Sequence, residues 1–135
     1  MDKVGIEKDC HMAQKIFWLA AAGACGTLAR YALGGAVYKW FGTSFPWGTI
    51  AVNVLGCFLF GLVWSVSRHG MISPEIRTIV LVGFMGAFTT FSTFVFETSQ
   101  LLTDDELLMA LANVAVQVIT GIGVFYLGLV AGRVI

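Results

Sequence analysis

The chain has 135 residues, 58% of them hydrophobic and 12% charged, with a mean hydropathy of +0.85. Soluble domains are about a quarter charged, so this composition excludes a disordered chain, a basic nucleic-acid binder and an ordinary soluble enzyme. Eight Lys/Arg balance eight Asp/Glu, which leaves no net field to steer a polyanion, and no nucleic-acid partner is expected.

Residues 1–15 contain Asp2, Lys3, Glu7, Lys8, Asp9 and His11 and are expected to form a solvated, poorly ordered tail. Lys15 and the run ending Ala20-Ala21-Ala22-Gly23-Ala24 have the outline of a signal peptide. Everything downstream is equally membrane-like, so cleavage is not expected. Residues 16–135 are expected to form one membrane domain. Residues 40–67 and 107–132 carry no charge, and each run exceeds the roughly 20 residues that cross a bilayer.

Four spans are predicted in all, at 16–38, 47–67, 78–102 and 107–130. The connections between them are short, which predicts an all-α, up-down membrane bundle. Trp18, Trp40, Trp47 and Trp64 fall near span ends, where an amphipathic ring sits at headgroup level. Pro46 and Pro74 precede spans, where a missing N–H is harmless. The run Thr103-Asp104-Asp105-Glu106 is expected to cap the fourth helix, with acids in its first turn. Lys3, Lys8, Lys15, Arg68, Arg77 and Arg133 gather on one side, which favours a cytoplasmic N-terminus. Cys10, Cys25 and Cys57 have no paired spacing and read as apolar packing groups.

Sixteen glycines exceed what a simple greasy bundle uses. Small residues let helices approach closely in lipid, as Gly128 and Gly132 would, and the surplus points to a homo-oligomer. The third span stands apart: Gly83-Phe84-Met85-Gly86-Ala87-Phe88-Thr89-Thr90-Phe91-Ser92-Thr93-Phe94. Its glycine, threonine and hydroxyl content disfavours a helix. Such a stretch survives at membrane depth only inside protein or along a cavity. A helix broken mid-membrane near Ala87–Phe91 is expected, exposing carbonyls that suit a small cation and N–H groups that suit an anion. The alternative is a continuous helix whose hydroxyls bond back to their own turn.

Five of the eleven phenylalanines lie between residues 84 and 96, and Phe91 and Phe94 share a helical face. Ring edges are electropositive and can solvate an anion, although helical Phe stripes are usually core. Polar groups inside spans are functional by default. Here they are Asn53, Arg30, Glu97 (the one acid embedded in a span) and the stripe Asn113, Gln117 and Thr120. Their plain role is interhelical hydrogen bonding, their sharper one an ion path. No nucleophile–base set, metal-ligand cluster or phosphate loop occurs, so no enzyme is expected.

These residues resemble the Fluc (CrcB-type) family of fluoride channels over nearly the whole chain from Ile16. The match rests on Gly26-Thr27-Leu28-Ala29-Arg30-Tyr31, on Pro46-Trp47-Gly48-Thr49-Ile50-Ala51-Val52-Asn53 and on the third-span block above. The resemblance implies an antiparallel, dual-topology homodimer in the cell membrane with two fluoride pores at its interface. It implies that Asn53 hydrogen-bonds the ion, that Phe91 and Phe94 present ring edges to it, and that Ser92 and Thr93 add hydroxyls. Arg30 would sit at a vestibule base and Glu97 near the far end of the pore. Backbone carbonyls of Gly86 and Thr89 would hold a structural, non-transported Na+ shared by both subunits. Gln117 would lie on the polar path where a serine is common, and Asn113 where a tyrosine is common.

The implied function is passive, selective export of fluoride that lowers its cytoplasmic toxicity. Fluoride is small and strongly hydrated, so amides, hydroxyls and ring edges suit it better than a fixed charge that would trap it. A second reading is a small proton-coupled multidrug antiporter using Glu97, and a third a non-conducting assembly subunit.

Overall fold

A computed structural model of the chain describes residues 3–135, with side chains from His11 onward. Its elements are α1 (Lys3–Phe41), α2 (Trp47–Arg68), α3 (Pro74–Thr78), a π-helical stretch (Ile79–Met85), α4 (Gly86–Phe88), α5 (Phe91–Thr103) and α6 (Leu107–Val134). Elements α3 to α5 together make the third span. Among the described residues, four segments are long and apolar enough to cross a bilayer: His11–Phe41, Trp47–Arg68, Pro74–Thr103 and Leu107–Val134. The chain is a multi-pass, all-α membrane protein.

The second span begins where the sequence puts it, after Pro46, and ends one residue late. The first starts before Ile16, since residues 11–15 already belong to α1. The remainder of the expected tail lies outside the residues whose side chains are described. Aromatic groups mark both ends of α2. Trp47 packs edge-on to Phe45 at 4.9 Å, and the Arg77 guanidinium lies 5.4 Å from the Trp64 ring. Ser73 caps α3 by accepting from the Ile76 N–H at 3.3 Å, with Pro74 at the first helical position.

The run Thr103–Glu106 corrects its expected role. Thr103 still belongs to α5, Asp104 closes that helix, and Asp105 takes a left-handed φ of 60°. Glu106 stands at the head of α6 without a side-chain cap bond, and α6 has no acid in its first turn. The segment is therefore a tight α5–α6 turn closed by backbone bonds, from the Asp105 N–H to Leu102 O at 3.3 Å and from the Glu106 N–H to Leu101 O at 2.8 Å. Thr103 donates to Ser99 O of its own helix at 2.9 Å.

Packing follows the glycines. A Cβ on Gly61 would strike Phe125 O, and one on Gly128 would strike Phe58 O, so α2 and α6 meet backbone to backbone. Gly26 brings α1 against Phe84 O and Phe88 N in the same way. Without a hydrophobic force between helices in lipid, such contact is what holds neighbours together. Gly35 and Gly123, by contrast, have nothing within 4 Å of an added Cβ. They remain as small patches on the outside of the helical bundle.

The third span is bent and broken as expected. A π-helical stretch leads into the short α4, and then Thr89 (ψ 158°) and Thr90 (φ −146°, ψ 114°) are extended before α5 begins. Thr89 turns its hydroxyl back onto Met85 O at 3.0 Å. Thr90 is the N-cap of α5, its Oγ1 accepting from the Thr93 N–H at 3.2 Å. The two consecutive β-branched hydroxyl residues thus end one helix and start the next.

Candidate functional site

The break is closed by a side chain from α2. Asn53 Oδ1 accepts from the Thr90 N–H at 2.8 Å, and Asn53 Nδ2 donates to Thr90 O at 3.1 Å. A continuous helix would send the Thr90 N–H to Gly86 O; here Asn53 takes it. Gly56, one turn after Asn53, lets α2 approach, since a Cβ there would meet Thr89 Cγ2. The Thr90 N–H and C=O at the break are thus satisfied within the protein, as low dielectric favours.

From Asn53 a chain of amides runs into α6. Asn53 Nδ2 also donates to Gln117 Oε1 at 2.7 Å, and Gln117 Nε2 donates to Asn113 Oδ1 at 2.8 Å. Asn113, fully buried, donates from Nδ2 to Thr98 Oγ1 of α5 at 2.9 Å. The third member of the expected stripe departs from it. Thr120 is exposed and donates its hydroxyl to Val116 O of its own helix, so it takes no part in the chain.

Two grooves flank the start of α5. The first, about 330 Å³, is lined by Asn53, Thr89, Thr90, Phe91, Phe94 and Gln117, among others. The Phe91 and Phe94 rings stand 5.6 Å apart at 50°, and Phe91 is 76% exposed on the single chain. Among the described residues, no Lys, Arg, Asp or Glu lines this groove. The second, about 320 Å³, gathers Arg30, Tyr38, Thr49, Thr90, Thr93 and Glu97. Thr90 lines both. Of the residues singled out in the sequence, Asn53, Phe91, Phe94 and Gln117 come together on one side, and Arg30, Thr93 and Glu97 on the other. Ser92 is exposed and lines neither, though its hydroxyl is 3.3 Å from Thr90 Oγ1.

Glu97 is held by two residues that the sequence did not single out. Tyr38 Oη of α1 and Thr49 Oγ1 of α2 both donate to Glu97 Oε1, at 2.7 and 2.8 Å. Its Oε2 is buried and meets no hydrogen-bond partner among the described residues. Glu97 also opens toward a larger cavity of about 530 Å³ bounded by Ser44, Phe45, Asp104 and Glu106. It therefore stands between the second groove and one mouth of the bundle. Thr90 and Thr98 were the other residues missed; their signal was only membership of a hydroxyl-rich span.

Carbonyls before the break are the oxygen donors available to a cation. With the Thr90 N–H diverted to Asn53, Gly86 O loses its regular helical donor, and extended Thr89 lies outside both α4 and α5. No group of His, Cys, Asp or Glu among the described residues could hold a metal, so a cation here would rest on carbonyls. Such neutral oxygens fit a hard monovalent ion.

Comparison with known proteins agrees with this geometry. The family model described as CrcB-like protein, Camphor Resistance (CrcB), matches residues 17–129. The fluoride-specific ion channel FluC of Solidesulfovibrio magneticus is 54% identical over 125 residues, covering 92% of this chain and 100% of the relative. The channel of the same name from Nitrosococcus oceani is also 54% identical over 125 residues, with the same coverage. That from Magnetococcus marinus is 47% identical over 122 residues, 90% of this chain and 99% of the relative. A match over most of both chains, through the broken third span itself, means that this protein belongs to the CrcB-like family.

Proposed function

We propose that this chain is a fluoride-selective channel that lets fluoride leave the cell passively and so lowers its cytoplasmic toxicity. It is a channel and not an enzyme, in keeping with relatives that are named as ion channels. The observation that carries the reading is the charge-free groove in which the Phe91–Phe94 ring pair faces the Asn53 and Gln117 amides. Ring edges and amide N–H groups replace the water that fluoride sheds, and the absence of a fixed cation lets the ion leave again. Nothing favours the antiporter reading, since the Glu97 carboxyl is tied to hydroxyls of two other helices.

Both N–H hydrogens of Asn53 are already donated, to Thr90 O and Gln117 Oε1. Fluoride would displace one of these neutral acceptors rather than meet an idle donor. The working unit is an antiparallel homodimer of dual topology. Supporting it are the outward patches at Gly35 and Gly123, the exposed Phe91 ring, and a groove that one protomer leaves open. The Gly86 and Thr89 carbonyls, with their equivalents on the second copy, would hold a structural Na+ at the centre. That ion would fix the two breaks against each other and would not be transported.

Liposomes loaded with fluoride and carrying purified protein test the reading. Rapid fluoride release without chloride release is expected. Equal chloride release, or none of either from folded protein, would overturn it.

A further inference from the structure

The amide chain from Thr98 to Thr90 has a direction, and two backbone groups at its opposite ends impose it. The Thr98 hydroxyl donates its single hydrogen to Phe94 O at 2.7 Å. Toward Asn113 it can therefore only accept, which places Nδ2 of Asn113 against it at 2.9 Å. Asn113 Oδ1 is then left to accept from Gln117 Nε2, and Gln117 Oε1 to accept from Asn53 Nδ2. At the other end the Thr90 peptide requires Oδ1 of Asn53 at its N–H and Nδ2 at its carbonyl. Both anchors demand the same order, so three successive amides agree without a clash of like groups.

Thr98 and Asn113 do not line the charge-free groove, whereas Gln117 and Asn53 do. We infer that Thr98 and Asn113 are positioning residues that lock the Gln117 amide so that its Oε1 holds Asn53 Nδ2 ready for fluoride to take over. If Gln117 turned over, its Nε2 would face Asn53 Nδ2, donor against donor. Asn53 would then either leave the Thr90 peptide or turn a carbonyl oxygen toward the path of an anion. Low dielectric around the chain makes either state costly and makes the locked order cooperative. The role is specific to a chain carrying amides at both 113 and 117. It rests on the fluoride-channel reading.

The test uses the full chain in liposomes and measures fluoride and chloride release together. Thr98→Val keeps the shape of the side chain and removes both its donor and its acceptor. It is expected to lower fluoride release by about three- to tenfold, the effect of one net hydrogen bond, and to lower the fluoride-to-chloride ratio. Thr98→Ser, which keeps the hydroxyl, is expected to restore both. Asn113→Leu should match Thr98→Val, and the double variant should be no worse than either single one, because one chain is cut at two links. Unchanged release and ratio in Thr98→Val, failure of Ser to rescue, or additive losses in the double variant would each overturn the positioning role. Absence of fluoride release from the unsubstituted protein would instead overturn the channel reading itself.

Discussion

Asn53 pairs with the peptide group of Thr90 at both of its ends, as a neighbouring β-strand would, with one bond of 2.8 Å and one of 3.1 Å. A side chain thus takes the N–H whose helical acceptor the break removes, and adds a donor to the carbonyl that heads α5. The same residue lines the groove that the ion would use. Under the proposed function, structural repair of the third span and solvation of an anion would both fall to this one amide.

Replacing Asn53 therefore acts on stability as well as flux. Asn53→Ala leaves the buried Thr90 N–H without a partner, at about 1–3 kcal/mol, while Thr90 O keeps the first helical bond of α5. Thermal unfolding in detergent should show a clear loss, with fluoride release falling in parallel. Asn53→Asp keeps an acceptor for the Thr90 N–H but has no donor for Thr90 O or Gln117 Oε1 when ionised. It should be no more stable than Asn53→Ala, because it also brings a charge to membrane depth.

Much of the fold was legible because hydropathy and glycine punctuate this chain strongly. The third-span break was legible from local chemistry, since Thr89 and Thr90 are poor helix residues beside glycine, and the structure breaks there. What the sequence hid was partnership at long separation. Tyr38 meets Glu97 across 59 positions and Asn53 meets Gln117 across 64. Neither spacing leaves a periodic trace. Thr120 misled for a related reason. Its spacing from Gln117 suits one helical face, but its hydroxyl finds a nearer acceptor on its own helix. The Thr103–Glu106 run was misread because Asx and Thr residues serve turns as readily as caps.

The Glu97 anchor makes a separate prediction. Tyr38→Phe and Thr49→Val each remove one donor to Glu97 Oε1, and each should cost about 1–3 kcal/mol. The double variant leaves the carboxyl without a donor among the described residues and should lose more than the sum. Thermal melts of the four proteins form the cycle. Additivity would mean that the two hydroxyls act on the carboxyl independently.

Glycines on different faces should behave differently. Gly61→Val and Gly128→Val push side chains into the Phe125 and Phe58 carbonyls and should prevent α2 from seating on α6. Overpacking of this kind costs about 1–3 kcal/mol and often more where the obstacle is backbone. Poor expression or a large fall in melting temperature is expected. Gly35→Leu and Gly123→Leu meet open space in the protomer and should leave its helix content intact. If those patches seat a second copy, the same two variants should shift the dimer toward monomer, as read by cross-linking in detergent or lipid.

Phe91 separates conduction from stability. Its ring is 76% exposed on the protomer and touches Phe94 at 5.6 Å, so Phe91→Ile removes little internal packing. What it removes is an electropositive ring edge beside the Asn53–Gln117 pair, which an aliphatic group cannot supply. A lost contact of about 1.4 kcal/mol corresponds to tenfold in rate. Fluoride release should fall by about tenfold or more, with a melting temperature close to that of the unsubstituted chain. Phe91→Tyr keeps the ring and should retain most of the flux. Equal release from the Ile and unsubstituted proteins would remove ring edges from the account of selectivity and leave the amides and hydroxyls to carry it.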